Sequence, residues 1–149
     1  MIVFSNLDQF SRQLASQRRW RRTLEAIGNH DVVKAGAAYS IGDSLTYRVA
    51  PAGELVSQRF TGRRRYFAVL HVLSGFVVVS VAKKADLTCV RAYSDLSDTE
   101  SFEGCGDSTE LNAGSIGIVE IDEGYRVVRG EGEVVCLHVS VEGATFHNK

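Results

Sequence analysis

The run Tyr66-Phe67-Ala68-Val69-Leu70-His71-Val72-Leu73-Ser74-Gly75-Phe76-Val77-Val78-Val79-Ser80-Val81-Ala82 decides the fold class. Aromatic and β-branched residues fill it on both sides of Ser74-Gly75, and such residues suit a pleated, half-buried surface. The Ser-Gly pair supplies a tight reversal. The stretch therefore predicts a strand over Tyr66–Leu73, a turn, and a second strand over Phe76–Ala82. Working outward, Leu87–Tyr93, Ser115–Ile121, Tyr125–Val128 and Val134–Val141 have the same composition between Gly, Asp, Ser and Asn boundaries. Glu123-Gly124 reads as another tight turn. Upstream, Ala37–Val49 holds two extended runs divided by the turn signal Ile41-Gly42-Asp43-Ser44-Leu45. The single proline, Pro51, falls between strands, where its missing N–H does no harm. Many short strands at close spacing predict a mainly β sandwich or barrel.

The first segment reads differently. Ser5 or Asn6 is a suitable helix N-cap, with Asp8 in the first turn. Leu7, Phe10 and Leu14 follow at helical spacing, as do Trp20, Leu24 and Ile27. The phase breaks between the two sets, so two N-terminal α-helices are expected within about 6–28, closed by Gly28-Asn29. With 149 residues and no linker or repeat, the chain is expected to form one domain over 1–149.

Composition excludes several classes. Apolar residues make up 44% and charged residues 23%, values of an ordinary globular protein. A formal charge of −1 gives no general pull toward nucleic acid or an anionic membrane. The basic run Arg18-Arg19-Trp20-Arg21-Arg22 keeps Trp20 in phase with Leu24 and Ile27. It reads as a packed aromatic flanked by arginine stems, with no nucleic-acid partner. Cys89, Cys105 and Cys136 form no CxxC pair and are read as reduced thiols. The N-terminus has neither a basic start nor a long apolar run, and no window nears the ~20 apolar residues of a membrane span. A cytoplasmic protein is expected.

Longer segments carry a likeness to a known family. They are Gly36-Ala37-Ala38-Tyr39-Ser40-Ile41-Gly42-Asp43-Ser44-Leu45-Thr46-Tyr47-Arg48-Val49, Phe60-Thr61-Gly62 with Arg64-Arg65-Tyr66-Phe67, Gly104-Cys105-Gly106, and the tail Phe146-His147-Asn148-Lys149. In this order they resemble the YhcH/YjgK/YiaL family of cupin-like proteins, and within it the small (beta) subunits of evolved β-galactosidases. The resemblance implies a cupin-like double-stranded β-helix behind the two helices. It also implies a non-catalytic accessory subunit that a large glycoside hydrolase chain needs for full activity. Other relatives are regarded as metal-dependent sugar isomerases, epimerases or anomerases, which supplies the alternative function.

The family's metal ligands map onto Arg63, Ala68, Leu70 and Asp122 in this sequence. Arg offers no acceptor lone pair, and Ala and Leu offer no donor atom. Only Asp122 keeps a ligand type, so no cofactor is expected, and a divalent metal belongs to the alternative. His71 stands one residue out of register and so on the opposite strand face. A Cys136/His138 pair shares a strand face but lacks a third ligand, and His30 and His147 read as exposed. Two arrangements are open: Arg63 and Asp122 pair across the barrel mouth, forming with Tyr66 a metal-free pocket for a sugar, or Arg63 points to solvent while Asp122 serves a turn before Gly124. Glu120 and Asp122 are expected on one strand face. No GxSxG elbow or Ser–His–Asp pattern is present, so no catalytic residue is assigned. In isolation, the surface meant for the large chain is expected to produce a homodimer.

Overall fold

A computed structural model of the chain describes residues 1–6, 9, 12, 38–40 and 45–140. Among them the protein is mainly β, with two antiparallel sheets of six strands each. The strands are β1 (Ile2–Phe4), β2 (Ala38–Ser40), β3 (Leu45–Pro51), β4 (Phe60–Gly62), β5 (Tyr66–Val72), β6 (Phe76–Lys83), β7 (Thr88–Ser94), β8 (Thr99–Glu103), β9 (Asp107–Asn112), β10 (Ile116–Val119), β11 (Glu123–Glu131) and β12 (Glu133–Ser140). The first sheet has the order β1-β10-β5-β12-β3-β2 and the second β7-β8-β4-β11-β6-β9.

The opening stretch of sequence forms the centre of the molecule. β5 lies between β10 and β12 in one sheet, and β6 lies between β11 and β9 in the other. Gly75 at φ 73° makes the turn expected at Ser74-Gly75, and that turn carries the chain from one sheet to the other. A β-carbon there would sit 2.2 Å from the Glu131 carbonyl oxygen, so only glycine fits. Between the sheets Leu70, Val72, Val77, Val79, Leu111, Val127, Val134 and Cys136 form the core, with Ala52 beside them. Burying a side chain of the Val or Leu kind stabilises the fold by ~1.5–3 kcal/mol each. The opposite face of β5 and β12 is also buried, at Val69, His71, Val135, Leu137 and Val139. That double burial explains why these strands read as continuous apolar runs rather than alternating ones.

Several boundaries differ from expectation. Pro51 is the last residue of β3, opposite Glu133, rather than a residue between strands. Glu123 and Gly124 open β11, and the turn precedes them at Ile121-Asp122. Glu120 and Asp122 therefore do not share a strand face. β11 also carries a bulge, with Val127 opposite Val79 and Arg129 opposite Val78.

The two expected helices, with Arg18–Arg22, His30 and the tail including His147, lie outside the described residues. Among the described residues of that segment the Gln9 N–H donates to Asn6 Oδ1 at 2.9 Å. Gln9 Oε1 in turn accepts from the Ser5 N–H at 2.8 Å. No helix among the described residues is long and apolar enough to cross a membrane.

Candidate functional site: a cationic cavity at one end of the sandwich

β4 ends at Gly62, and the next three residues, Arg63-Arg64-Arg65, turn the chain across to β5. Gly62 is needed for close approach: a β-carbon there would lie 2.6 Å from Lys84 Cε and 2.9 Å from the Phe102 ring. The Lys84 stem crosses this backbone, and its ammonium donates to the Arg63 carbonyl at 2.7 Å and to Glu100 Oε2 at 2.8 Å. Arg64 completes the cluster. Its Nε and Nη2 donate to the two oxygens of buried Glu100 at 3.2 and 3.1 Å. The guanidinium also lies 4.3 Å from the centroid of the Tyr93 ring. Bidentate pairing of this kind fixes geometry as well as charge. Burial raises the Glu100 pKa, but the bonds from Arg64 and Lys84 outweigh it and hold the carboxyl below its ordinary value.

Asp98, in the turn between β7 and β8, holds the arginine turn from the other side. It is 3% exposed, and its φ of 51° puts it in the left-handed region that Asp tolerates better than most residues. Its carboxylate accepts the Arg64 N–H at 3.1 Å and the Arg65 N–H at 3.1 and 3.3 Å. The Tyr93 hydroxyl donates to it as well. Arg65 places Nε 3.8 Å from Asp98 and Nη2 3.7 Å from the Asp95 carboxylate. One buried carboxylate thus fastens two successive backbone amides of the arginine turn.

A cavity of about 270 Å³ opens between these two turns. Arg63, Arg65 and Tyr66 line it on one side, Leu96, Ser97 and Asp98 on the other, with His138 of β12 at the back. His138 stands opposite Ala68 on β5. Burial lowers its pKa and the Arg63 cation lowers it further, to about 4, so the imidazole is neutral at pH 7. Two residues along β12, burial pushes the Cys136 thiol up to about 11. Tyr125 is also shifted upward by burial, against the opposing pull of Arg63.

The expected site is thus brought together in part. Arg63 and Tyr66 share the cavity, but Asp122 does not join them. Its carboxylate is exposed and accepts from Lys83 Nζ at 2.8 Å, so the expected Arg63–Asp122 pair is replaced by Lys83–Asp122. The cause is the turn at Ile121-Asp122, which directs the side chain outward; Lys83, opposite Glu123 on β6, is the cation within reach. Sequence reasoning missed Asp98, Ser97 and Leu96, which carry no motif, and weighed His138 as half of a Cys136/His138 pair without a third ligand.

The residues at the positions implied for a metal do not fit one. Ala68 and Leu70 lie on the inner face of β5, in register with His138 and Cys136, and bring no donor atom. Arg63 is a cation, and Asp122 is engaged outside the cavity. His71 faces the other side of β5, as its register requires, with Nδ1 3.3 Å from the Ser115 carbonyl. Among the described residues, the one cluster of three ligand types is Glu120, Asp122 and Glu123. Two of those carboxylates already have partners: Asp122 accepts from Lys83, and Glu123 accepts the Glu120 N–H at 3.0 Å and the Met1 ammonium at 2.6 Å. Compared with models of known protein families, the chain matches none.

Proposed function

We propose that this chain is a non-catalytic accessory subunit of a heteromeric β-galactosidase, built as a cupin-like double-stranded β-helix. Support for the fold comes from the chain path: it crosses between the two sheets at β3–β4, β4–β5, β5–β6, β9–β10, β10–β11 and β11–β12. The observation that carries the function is the inner face of β5. Where relatives of the resembled family would hold metal ligands, Ala68 and Leu70 pack in an apolar layer instead. A scaffold so filled acts on a partner by binding one of its conformations more tightly than another.

Co-expression with a large β-galactosidase chain from the same source tests the reading. Co-elution with increased lactose hydrolysis supports it; separate elution with unchanged hydrolysis rejects it. The isolated chain is expected as a homodimer, read by light scattering. The cavity favours a second reading, a metal-free sugar sensor within the complex, because Arg63, Tyr66, Ser97 and His138 offer polar groups to a small ligand. A free-standing metal-dependent sugar isomerase would instead show near-stoichiometric metal in the purified protein.

A further inference from the structure

The cavity is unbalanced in charge. Arg64 and Lys84 share Glu100, and Arg65 lies against Asp95 and Asp98. Arg63 has no carboxylate within ion-pair distance among the described residues. Its Nε is buried and donates to no acceptor there. Its Nη1 reaches the Ser97 carbonyl at 3.5 Å, longer than an ordinary N–H···O bond. A buried donor left without an acceptor costs ~1–3 kcal/mol, more when the group is charged. Asp98 is not its partner: it lies within ion-pair distance of Arg65 and not of Arg63, and accepts from the Arg64 and Arg65 amides and the Tyr93 hydroxyl. The lining therefore holds two guanidiniums against one carboxylate, beside an imidazole that is neutral at pH 7.

Size and polarity narrow the occupant. At about 270 Å³ the space is slightly below the ~300–1,000 Å³ of sites for drug-sized ligands. Ser97, Tyr66 and His138 offer groups that exchange hydrogen bonds with hydroxyls. We propose that the cavity binds a small hydroxylated oxyanion, a carboxylate or a phosphate ester, with Arg63 as its charge partner. This rests on the cavity reading and narrows it from neutral sugars to anionic compounds. It does not depend on the large subunit, so failure of the co-expression test leaves it standing.

Three probes of one size decide it: glycerate, glycerol 3-phosphate and glycerol, titrated into the full chain while the ring signals of His138 are followed by NMR. At least one anion is expected to bind roughly tenfold or more tightly than glycerol, the scale of a charge-assisted hydrogen bond. Bound anion is also expected to raise the His138 pKa from about 4 toward that of a free imidazole, because it offsets the Arg63 cation. Preference for glycerate assigns a carboxylate, and preference for glycerol 3-phosphate a phosphate ester. Arg63→Gln is expected to abolish the anion preference, while Arg63→Lys keeps it. The proposal is overturned if neither anion binds, if glycerol binds equally well, or if Arg63→Gln leaves the preference intact. Should Arg63→Gln not fold, the comparison of the three probes on the unaltered chain decides alone.

Discussion

At one end of the sandwich Val72, Val77, Leu111 and Val134 meet, each fully buried. At the other end of β5 and β12, Tyr66 and His138 meet Arg63, Arg65 and Asp98 around a cavity. The sealed end consists of groups that gain by leaving water in any orientation. The polar end is held by a few directional bonds that converge on Asp98 and Glu100. The first end is stable because of how much surface it buries; the second has its shape because of which atoms face each other. Chemistry is therefore expected at the polar end, where a single substitution changes geometry more than it changes stability.

The largest effect should come from the sealed end. Leu111→Ala is expected to lower unfolding free energy by ~2–5 kcal/mol, as a cavity in a packed core does. Denaturant titration measures it, with Arg63 and Asp98 contacts left intact. Next, Asp98→Asn keeps a side chain that tolerates positive φ but removes the charge and part of the accepting capacity. A loss of ~1–3 kcal/mol is expected, with faster hydrogen exchange at the Arg64 and Arg65 amides. An Asp98→Asn chain with unaltered exchange at both amides would erase the contrast between the two ends.

A third effect depends on pH. Burial first, and the Arg63 cation second, hold His138 at about 4, while an unfolded chain titrates near ~6.5. Between those values the unfolded state takes up a proton that the folded state refuses. Stability is thus full above the unfolded value and falls as pH drops toward the folded one. His138→Gln should flatten that slope in urea midpoints measured between pH 7 and about 4. Glu100 adds a separate loss at lower pH. Its depressed pKa gives stability that is present above the ordinary carboxylate value and disappears as pH falls through the folded value. The smallest effect belongs to the exposed Lys83–Asp122 pair, where Asp122→Asn should leave the unfolding midpoint unchanged within error.

The central strands were legible because β5, β6 and β12 are apolar enough to declare themselves. β8 (Thr-Glu-Ser-Phe-Glu) and β9 (Asp-Ser-Thr-Glu-Leu-Asn) were not, since their polar composition suits a loop equally well. Each is a strand because a neighbour already in place offers it a ladder: Ser101 opposite Thr61, and Leu111 opposite Val77. β4 was passed over for the same reason, being three residues long. In the site, Arg63 was found because the family resemblance maps a metal ligand onto it, and Tyr66 because it is the aromatic that opens β5 just after it. Asp122 was misplaced by the position of a turn, and Asp98 gave no signal that set it apart from other loop acids.

By itself the sequence determined the β class, the turn at Ser74-Gly75 between β5 and β6, and the absence of metal-ligating atoms at Ala68 and Leu70. These follow from composition, local turn chemistry and side-chain inventory, which need no knowledge of distant neighbours. Only the tertiary structure decided that Asp98 fastens the arginine turn, that Lys83 takes Asp122, and that Arg63 lines a cavity with His138 and has no counter-charge among the described residues. Those outcomes depend on which of several carboxylates comes within reach of which cation. Strand register and the crossing of the chain between sheets set that distance, and spacing along the sequence does not.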